Sequence, residues 1–413
     1  MKATILTVGN ELTTGQTVDT NSSFLACELN RLGIDVIEHC TVGDNAGQIA
    51  RAIVRLAKDV NILMVTGGLG PTKDDLTRQA MAQATESELV VNPGSLEEIK
   101  NLFSRRGWQM AESNLCQAML PAGATPIANP IGTAPGIAAN IGDCRVFVMP
   151  GVPAEMKHML ADNILAALPH GNGAILHRAV HTFGLGESTI GERIADLMST
   201  GSNPSVGTTA SSGQVSVRIT ARAADRKQAD QLADSVVTEI CARLGNVVVG
   251  TDQETMSSVV GELLATRGST VATAESCSGG HIGKLISDVS GSSRYFLGGV
   301  VAYCNRLKRE LLGVDEALLA EAGAVSAEVA GAMAEGLKDR LGCTYALSVT
   351  GIAGPTGATA DKPVGLVYAG LAGPGPTQVA SRQLSGDRQT VRLRASLYAM
   401  NMLRLNLLSA PPV

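Results

Sequence analysis

Short apolar strands alternate with amphipathic helices along the first 150 residues of the chain. Residues 3–8 and 61–66 have the composition of strands, and Leu25, Leu29 and Leu32 recur at the spacing of one helix face. Such alternation with short connections is typical of a largely parallel sheet covered by helices. The pattern therefore predicts an α/β fold.

A similar alternation returns in the last third of the chain, after a shorter mixed segment. Residues 176–183 and 214–220 are predicted strands and residues 224–244 a predicted helix. We expect three domains, at residues 1–170, 171–250 and 251–413. The small α+β middle domain carries no evident chemical group, and we interpret it as a spacer or a dimerisation module.

Composition narrows the possible partners of the chain. The formal net charge of −5 and the 3% of aromatic residues argue against direct nucleic-acid binding. The 8 cysteines are scattered, and we see neither a secretory segment nor an apolar run of membrane-spanning length. We expect a cytoplasmic protein with reduced thiols, small-molecule ligands and no membrane contact, and we expect a homodimer.

The sequence VATAESCSGG at residues 271–280 passes from an apolar strand into a turn and then a helix. Backbone amides at such a helix start point outward, and the helix dipole favours an oxyanion there. A second unit, YCNRLK at residues 303–308, supplies a possible base, and a glycine-rich loop, TGIAGP, follows at residues 350–355. Together these motifs predict hydrolysis of an acyl group.

The amino-terminal part has its own candidate site, TGGLGPTKDD at residues 66–75. Its glycines Gly67, Gly68 and Gly70 permit an anion-binding nest of backbone amides. The Thr72 hydroxyl is a candidate hydrogen-bond donor to a phosphate. The candidate metal ligands are Asp74 and Asp75.

The end of the first predicted strand belongs to the same candidate site. Strand ends share one edge of a parallel sheet, so Glu11, Asp19 and Asn21 are expected to lie near the 66–75 loop. The alternative is that Asp19 and Asn21 cap the helix that follows.

Several long motifs resemble the CinA family, over nearly the whole chain and in the expected order. They are GNELTTGQTVDTN at residues 9–21, TGGLGPTKDD, the segment at residues 114–136, MPGVPAEM at residues 149–156 and AESCSGG. The resemblance implies an amino-terminal three-layer domain like molybdopterin-binding proteins and a carboxy-terminal nicotinamide mononucleotide (NMN) deamidase domain.

The resemblance implies two hydrolytic activities in pyridine-nucleotide salvage. The last domain would convert NMN to nicotinic acid mononucleotide and ammonia without a cofactor. The first would use a divalent cation to cleave ADP-ribose into AMP and ribose 5-phosphate. The alternatives are a molybdopterin- or nucleotide-binding protein that regulates competence or the DNA-damage response without turnover, and a general amidase indifferent to the phosphate.

For the deamidase, Ser276 is the candidate nucleophile, Lys308 its base, and Tyr303 the group that relays the proton or orients the pair. Ser293 is an alternative nucleophile or a substrate-orienting hydroxyl. A cysteine mechanism at Cys277 ranks below the serine one, because no histidine is recognisably paired with it. The candidate substrate-binding residues are Cys277, Ser278, Gly279, Gly280, Asn305, Thr350, Gly351, Gly354 and Arg388.

Each of these side chains also has a structural interpretation. A hydroxyl at a helix start is commonly an N-cap, a tyrosine a core residue, and a lysine a solvated charge. Arg388, in a predicted first helical turn, is either a surface charge or a phosphate ligand. It is their occurrence together that favours a site.

Overall fold

A computed structural model describes residues 1–168 and 173–409 of the chain. The expected domain boundary between residues 170 and 171, and the last residue of the expected third domain, lie outside the described residues. The chain divides into two compact units, one of residues 1–176 with 221–232 and one of residues 177–220 with 233–413.

The first unit is built around one six-stranded sheet. Its elements are β1 (Lys2–Val8), α1 (Asn10–Thr13), α2 (Thr20–Arg31), β2 (Asp35–Val42), α3 (Ala46–Leu56), β3 (Ile62–Thr66), α4 (Thr77–Ala84), β4 (Leu89–Val91), α5 (Pro93–Arg105), β5 (Met119–Pro121), β6 (Thr125–Ile127), β7 (Gly136–Ile141), β8 (Cys144–Met149) and α6 (Pro153–Met159). The strand order is β2-β1-β3-β8-β7-β6. β2, β1, β3 and β8 are parallel to one another, whereas β7 is antiparallel to β8 and β6 is antiparallel to β7.

Both faces of this sheet are buried, as the apolar strands require. Ala3 and Ile5 of β1 belong to one buried cluster, whereas Leu6 and Val8 belong to another. Since side chains alternate across a strand, the two clusters lie on opposite faces of the sheet, under the flanking helices.

Residues that follow the parallel strands share one edge of the first sheet. Thr7 of β1 pairs with Thr66 of β3, which in turn pairs with Met149 of β8. Val8, at the end of β1, therefore lies beside Gly67, and Gly67 lies beside Pro150, as predicted for a mostly parallel sheet.

The middle segment forms a four-stranded antiparallel sheet in the order β10-β11-β9-β12. Its elements are β9 (Ala174–Phe183), α7 (Glu187–Arg193), β10 (Ser205–Ser211), β11 (Gln214–Ala223), α8 (Arg226–Leu244) and β12 (Val248–Thr251). The predicted strands and long helix are present. β10 is an addition, since its sequence, SVGTTAS, has little apolar content.

The last domain has a five-stranded sheet in the order β14-β13-β15-β16-β17. Its elements are α9 (Met256–Thr266), β13 (Val271–Glu275), α10 (His281–Ser287), β14 (Phe296–Val301), α11 (Asn305–Leu312), α12 (Glu316–Ala322), α13 (Ala327–Leu341), β15 (Tyr345–Gly351), β16 (Leu366–Ala372), β17 (Gln378–Gln383) and α14 (Arg388–Ser409). β14, β13 and β15 are parallel to one another, whereas β16 is antiparallel to β15 and β17 is antiparallel to β16. The α/β class is thereby confirmed.

Within the described residues, no helix has the length and hydropathy that crossing a membrane requires. The longest helix, α14, instead carries buried residues such as Val391 and Leu403 and is a core element of the last domain.

Candidate functional site

The carboxyl ends of three parallel strands assemble the candidate site of the last domain. Glu275, the last residue of β13, pairs with Val301 of β14 and with Val349 of β15. Three segments therefore meet at this edge: the Ser276 turn, the segment that leads to α11, and the end of β15 with the loop that follows it (the Thr350 loop).

Lys308 and Ser276 form a direct, buried contact at this edge. The Lys308 Nζ lies 3.0 Å from the Ser276 Oγ and also donates to the Ala302 carbonyl at 3.0 Å. Lys308 is 1% exposed and Ser276 8% exposed. Burial lowers the pKa of the Lys308 amine, against a smaller opposing effect of Cys304 and Cys277. Lys308 is therefore not a solvated surface charge, and its burial favours the neutral form of the amine.

Tyr303 contributes its backbone, not its phenol, to this pair. Its carbonyl lies 3.5 Å from the Lys308 Nζ, whereas its side chain is 57% exposed and its hydroxyl accepts a hydrogen bond from the Arg388 Nη2 at 2.7 Å. The predicted relay through the phenol is not formed in the structure, because Lys308 reaches Ser276 without an intermediate. The orienting role falls to the Tyr303 carbonyl.

Arg388 connects two loops around the site. Besides the Tyr303 hydroxyl, its guanidinium donates to the Gly354 carbonyl at 2.7 Å. It stands at the first position of α14 and is exposed. This places a cation at the rim of the strand edge.

The Thr350 loop is near Arg388, but the Thr350 hydroxyl is not free to donate. It donates to the Ala324 carbonyl at 2.7 Å, and Thr350 is 1% exposed. The predicted donation from this hydroxyl to a phosphate is therefore not supported. Gly351 is closely packed, since a Cβ there would lie 2.7 Å from the Leu366 carbonyl oxygen, and Gly354 has a φ of +78°.

The Ser276 turn is shaped by its two glycines. Gly280 has a φ of +90° and is the N-cap of α10, and Gly279 has a φ of +61°. Gly279 also donates its N–H to the Ser276 carbonyl at 3.1 Å. Left-handed residues turn the chain sharply from β13 into α10, which leaves the Ser276 side chain at the sheet edge.

Three other predicted binding residues differ in accessibility. Cys277 is buried, and burial raises the pKa of its thiol to about 12. Ser278 is fully buried, with a hydroxyl that has no hydrogen-bond partner among the described residues. Asn305 is exposed at the start of α11. Of the three, only Asn305 is open to a ligand without a rearrangement.

Ser293 lies at the opposite edge of the sheet from Lys308. It is exposed and precedes Phe296, the first residue of β14, whereas Ser276 follows the last residue of the parallel strand β13. The length of the strand separates the two serines. Within one chain, Ser293 is therefore wrong as an alternative partner of Lys308.

Two residues of this site were missed by the sequence reasoning. Glu275, 1% exposed, accepts hydrogen bonds from the N–H groups of Ile282 and Gly283 at 3.0 and 2.8 Å. Arg392 of α14 donates to the Ser278 carbonyl at 3.1 and 2.7 Å. The Glu in AESCSGG gave a signal for the first, but nothing in the sequence places α14 beside the turn.

The first unit has a cavity of about 410 Å³ at the carboxyl edge of its sheet. The predicted glycine loop, including Gly67, Gly68 and Gly70, forms one wall, and Glu11 another. Gly67 has a φ of +110°, and a Cβ there would lie 2.2 Å from the Val8 carbonyl oxygen. The loop therefore approaches the end of β1 more closely than any side chain permits.

Asp75 closes this loop. Its carboxylate accepts from the N–H groups of Gly70 and Thr72 at 2.7 and 2.9 Å, and the Thr72 hydroxyl contacts both Asp75 and Asp74. The predictions that Asp75 binds a metal ion and that the Thr72 hydroxyl donates to a phosphate are therefore not supported, because these groups are bonded to each other. Asp74 lines the cavity with a less engaged carboxylate.

Acidic side chains converge on the cavity. Asp44, which the sequence reasoning missed, lines it together with Glu11 and Asp74. Burial raises the pKa of Asp44, and the charges of Glu11, Asp74 and Asp75 add to this, against the Asn10 N–H. In residues 1–168 and 173–409, no three of the His, Cys, Asp and Glu side chains are grouped to hold a metal ion.

Asp19 and Asn21 line a smaller adjoining cavity of about 130 Å³ that also contacts Glu11. Asp19 caps α2 by accepting from the Ser22 N–H at 2.9 Å. Asn21 instead donates to the Thr66 hydroxyl at 3.2 Å and to the Gly151 carbonyl at 2.9 Å. The capping alternative holds for Asp19 and not for Asn21, which joins α2 to the strand edge.

Arg78 is the cation beneath the glycine loop, and the sequence reasoning missed it. It is 3% exposed and donates to the carbonyls of Leu69 and Gly70, both at 2.6 Å. Burial lowers its pKa, opposed by Cys116 and Asp75. By binding these carbonyls, Arg78 holds the loop in place. The predicted anion-binding nest is not formed by the amides of Gly67 and Gly70, because they donate to the Met149 carbonyl at 3.0 Å and to Asp75 at 2.7 Å.

Comparison with known proteins gives the class of this architecture. Residues 4–170 match the family described as "Probable molybdopterin binding domain", residues 177–250 the "Damage-inducible protein CinA KH domain", and residues 253–407 the "CinA C-terminal domain". The chain is thus a three-domain α/β protein with a molybdopterin-binding-like first domain.

The chain belongs to the CinA family. A "CinA-like protein" of Geobacter sulfurreducens is 42% identical over 99% of this chain and 100% of its own. One of Acaryochloris marina is 42% identical over 98% of each. The crystal structure of competence/damage inducible protein CihA from Agrobacterium tumefaciens is 36% identical, covers 38% of this chain and 98% of its own, and has a TM-score of 0.36.

Two cysteines near Lys308, Cys277 and Cys304, differ in solvent exposure, and this difference is testable by alkylation. Cys277 is buried with a pKa raised to about 12, whereas Cys304 is exposed. We expect iodoacetamide at mildly alkaline pH to alkylate Cys304 and leave Cys277 unmodified in the folded protein, because the thiolate is the reactive form. Peptide mass spectrometry over time measures both rates. Equal alkylation of the two cysteines would contradict the described burial of the turn.

Proposed function

We propose that the last domain hydrolyses the carboxamide of NMN to nicotinic acid mononucleotide and ammonia. The observation that carries this proposal is the 3.0 Å contact between the buried Lys308 amine and the Ser276 hydroxyl. A serine hydroxyl is a weak nucleophile until an adjacent base removes its proton. A buried lysine, whose lowered pKa favours the neutral amine, would supply that base without a histidine.

The reaction runs in two halves. Lys308 takes the Ser276 proton as the Ser276 Oγ attacks the carboxamide carbon, and it returns the proton to the leaving nitrogen, which departs as ammonia. The resulting acyl-serine is then attacked by water, whose proton passes to Lys308 and back to the Ser276 Oγ. The products are the carboxylic acid and the original hydroxyl.

The oxyanion of each tetrahedral intermediate needs donors. The N–H groups of Ile282 and Gly283, in the first turn of α10, already donate to Glu275 and are therefore not available to the oxyanion. We assign the oxyanion to the backbone amides of the turn before α10, near Cys277 and Ser278.

Arg388 supports a phosphorylated substrate over a plain amide. Its guanidinium stands at the rim of the strand edge, held by Tyr303 and Gly354, and can bind the NMN phosphate. A general amidase would keep the Ser276–Lys308 pair and be indifferent to this cation. Activity on NMN and on unphosphorylated nicotinamide riboside separates the two functions.

For the first domain, we propose cation-dependent cleavage of ADP-ribose to AMP and ribose 5-phosphate. The cavity combines a glycine loop, which permits a ligand to approach the backbone closely, with the acidic side chains Glu11, Asp44 and Asp74. A diphosphate cannot approach these carboxylates without charge compensation. Binding of a pterin or nucleotide without turnover is the remaining alternative.

The acidic side chains fit a divalent cation that arrives with its substrate. Mg²⁺ is commonly held by one or two carboxylates together with substrate phosphates and waters, which agrees with the absence of a three-ligand cluster among the described residues. Asp74 and Glu11 or Asp44 would hold it. When bound, the cation would neutralise the charge of the diphosphate, and a carboxylate would orient the attacking water.

The serine–lysine pair is tested by matched alanine variants. We expect Lys308→Ala to lower kcat for ammonia release from NMN by about 10² to 10⁴, the range for a general base, and Ser276→Ala to abolish it. Ser293→Ala is the control and is expected to keep full activity, since it lies at the other sheet edge. Loss of activity in Ser293→Ala with retention in Ser276→Ala would reverse the assignment.

The acidic cavity is tested with Asp74→Asn, a change that keeps the side-chain size. We expect AMP release from ADP-ribose, with a divalent cation present, to fall by about tenfold or more because a carboxylate facing the diphosphate is lost. Ammonia release from NMN should be unchanged. Asp143→Asn, exposed in the β7–β8 turn, is the matched control. If the wild-type protein releases no AMP with any divalent cation, the first domain is a binding domain.

A further inference from the structure

Glu275 has a buried carboxylate that takes no part in the proposed steps of the deamidase reaction. It is 1% exposed, ends β13 and immediately precedes Ser276. A buried charge is costly unless it is hydrogen-bonded. The structure supplies these bonds from the opposite side of the turn, where the N–H groups of Ile282 and Gly283 donate to its two oxygens at 3.0 and 2.8 Å.

These bonds replace an absent helix cap. The N-cap of α10 is Gly280, which has no side chain to accept a hydrogen bond from the first turn. The first N–H groups of a helix lack partners within the helix and carry its positive dipole end. Glu275 satisfies two of them from the preceding strand, and so fixes both ends of the turn that carries Ser276.

The backbone of Glu275 also connects to the lysine. Its carbonyl accepts from the Ala302 N–H at 2.8 Å, and the Ala302 carbonyl accepts from the Lys308 Nζ at 3.0 Å. The same residue therefore joins the turn of the nucleophile, through its side chain, to the segment that holds the base, through its main chain.

We propose that Glu275 is a positioning residue, whose carboxylate holds the Ser276 turn in the geometry that brings the Oγ to the Lys308 Nζ. This inference rests on the proposed function of the same site. It acts through α10: without the carboxylate, the start of the helix is uncapped and the turn between residues 276 and 280 loses one of its two anchored ends. Both oxygens of Glu275 are bonded to the amides of α10, so this role needs no contact with the substrate.

Two substitutions separate the parts of this role. Glu275→Gln keeps the size but offers one acceptor oxygen, so that its NH₂ group meets an N–H of the helix. Glu275→Asp keeps the charge but is one methylene shorter and does not reach both amides. The control is Asp288→Asn, an exposed residue just after α10 whose carboxylate bonds to Lys284.

Each variant is measured in two ways. The first is kcat and KM for ammonia release from NMN, and the second is the rate at which a small fluorophosphonate labels Ser276, which needs no nucleotide binding. We expect both Glu275 variants to lose about tenfold to a hundredfold in kcat and in labelling rate, since small misplacements of a reacting group have effects of this size. KM should stay within about twofold, and Asp288→Asn should match the wild type.

The alternative is a purely structural role. Folded Glu275→Gln that melts at a lower temperature, but has wild-type kcat and labelling rate, would overturn the proposal. If Glu275→Gln does not fold, Glu275→Asp decides by the same measurements. If the wild-type protein is labelled at Ser276 but releases no ammonia from NMN, the deamidase proposal fails, while the labelling rates still decide whether Glu275 positions the serine.

Discussion

Burial of the Lys308 amine beside the Ser276 hydroxyl is the interaction on which the site of the last domain depends. In water, a lysine is protonated at neutral pH and cannot take a proton from serine. In the fold, Lys308 is 1% exposed and bonded only to neutral oxygens, those of Ser276, Ala302 and Tyr303. Burial at the sheet edge thus favours the neutral amine that the proposed mechanism needs, and the contact with Ser276 orients it.

One topological rule explains where both candidate sites lie. Parallel strands end at a common edge, so segments distant in sequence meet there: residues 276, 302 and 350 in the last domain, and residues 8, 67 and 150 in the first. The two edges differ in charge. The last domain has the cation Arg388 at its rim, whereas the first has Glu11, Asp44 and Asp74 around its cavity. This difference supports an unassisted phosphate ligand in one and a cation-assisted diphosphate in the other.

The sequence predicts the parts of this structure that depend on local pattern. Strand–helix alternation gives the α/β class, and the placement of motifs at strand ends brings Ser276 and Lys308 together. Strand β14, with the sequence FLGGVV, was not predicted because its two glycines weaken the strand pattern. Without that strand, the sequence could not show that Ser293 lies at the other sheet edge.

Side-chain partners account for the other differences, because periodicity does not specify them. Thr350 donates to Ala324, the Tyr303 hydroxyl binds Arg388, and Asp75 closes its own loop.

The pH dependence of kcat for ammonia release from NMN tests the central claim most directly. Burial lowers the pKa of Lys308 from 10.5, so the neutral base forms earlier as pH rises, and we predict that kcat increases with a midpoint below 10.5. A rate that does not change with pH, or a midpoint at or above 10.5, would contradict the account.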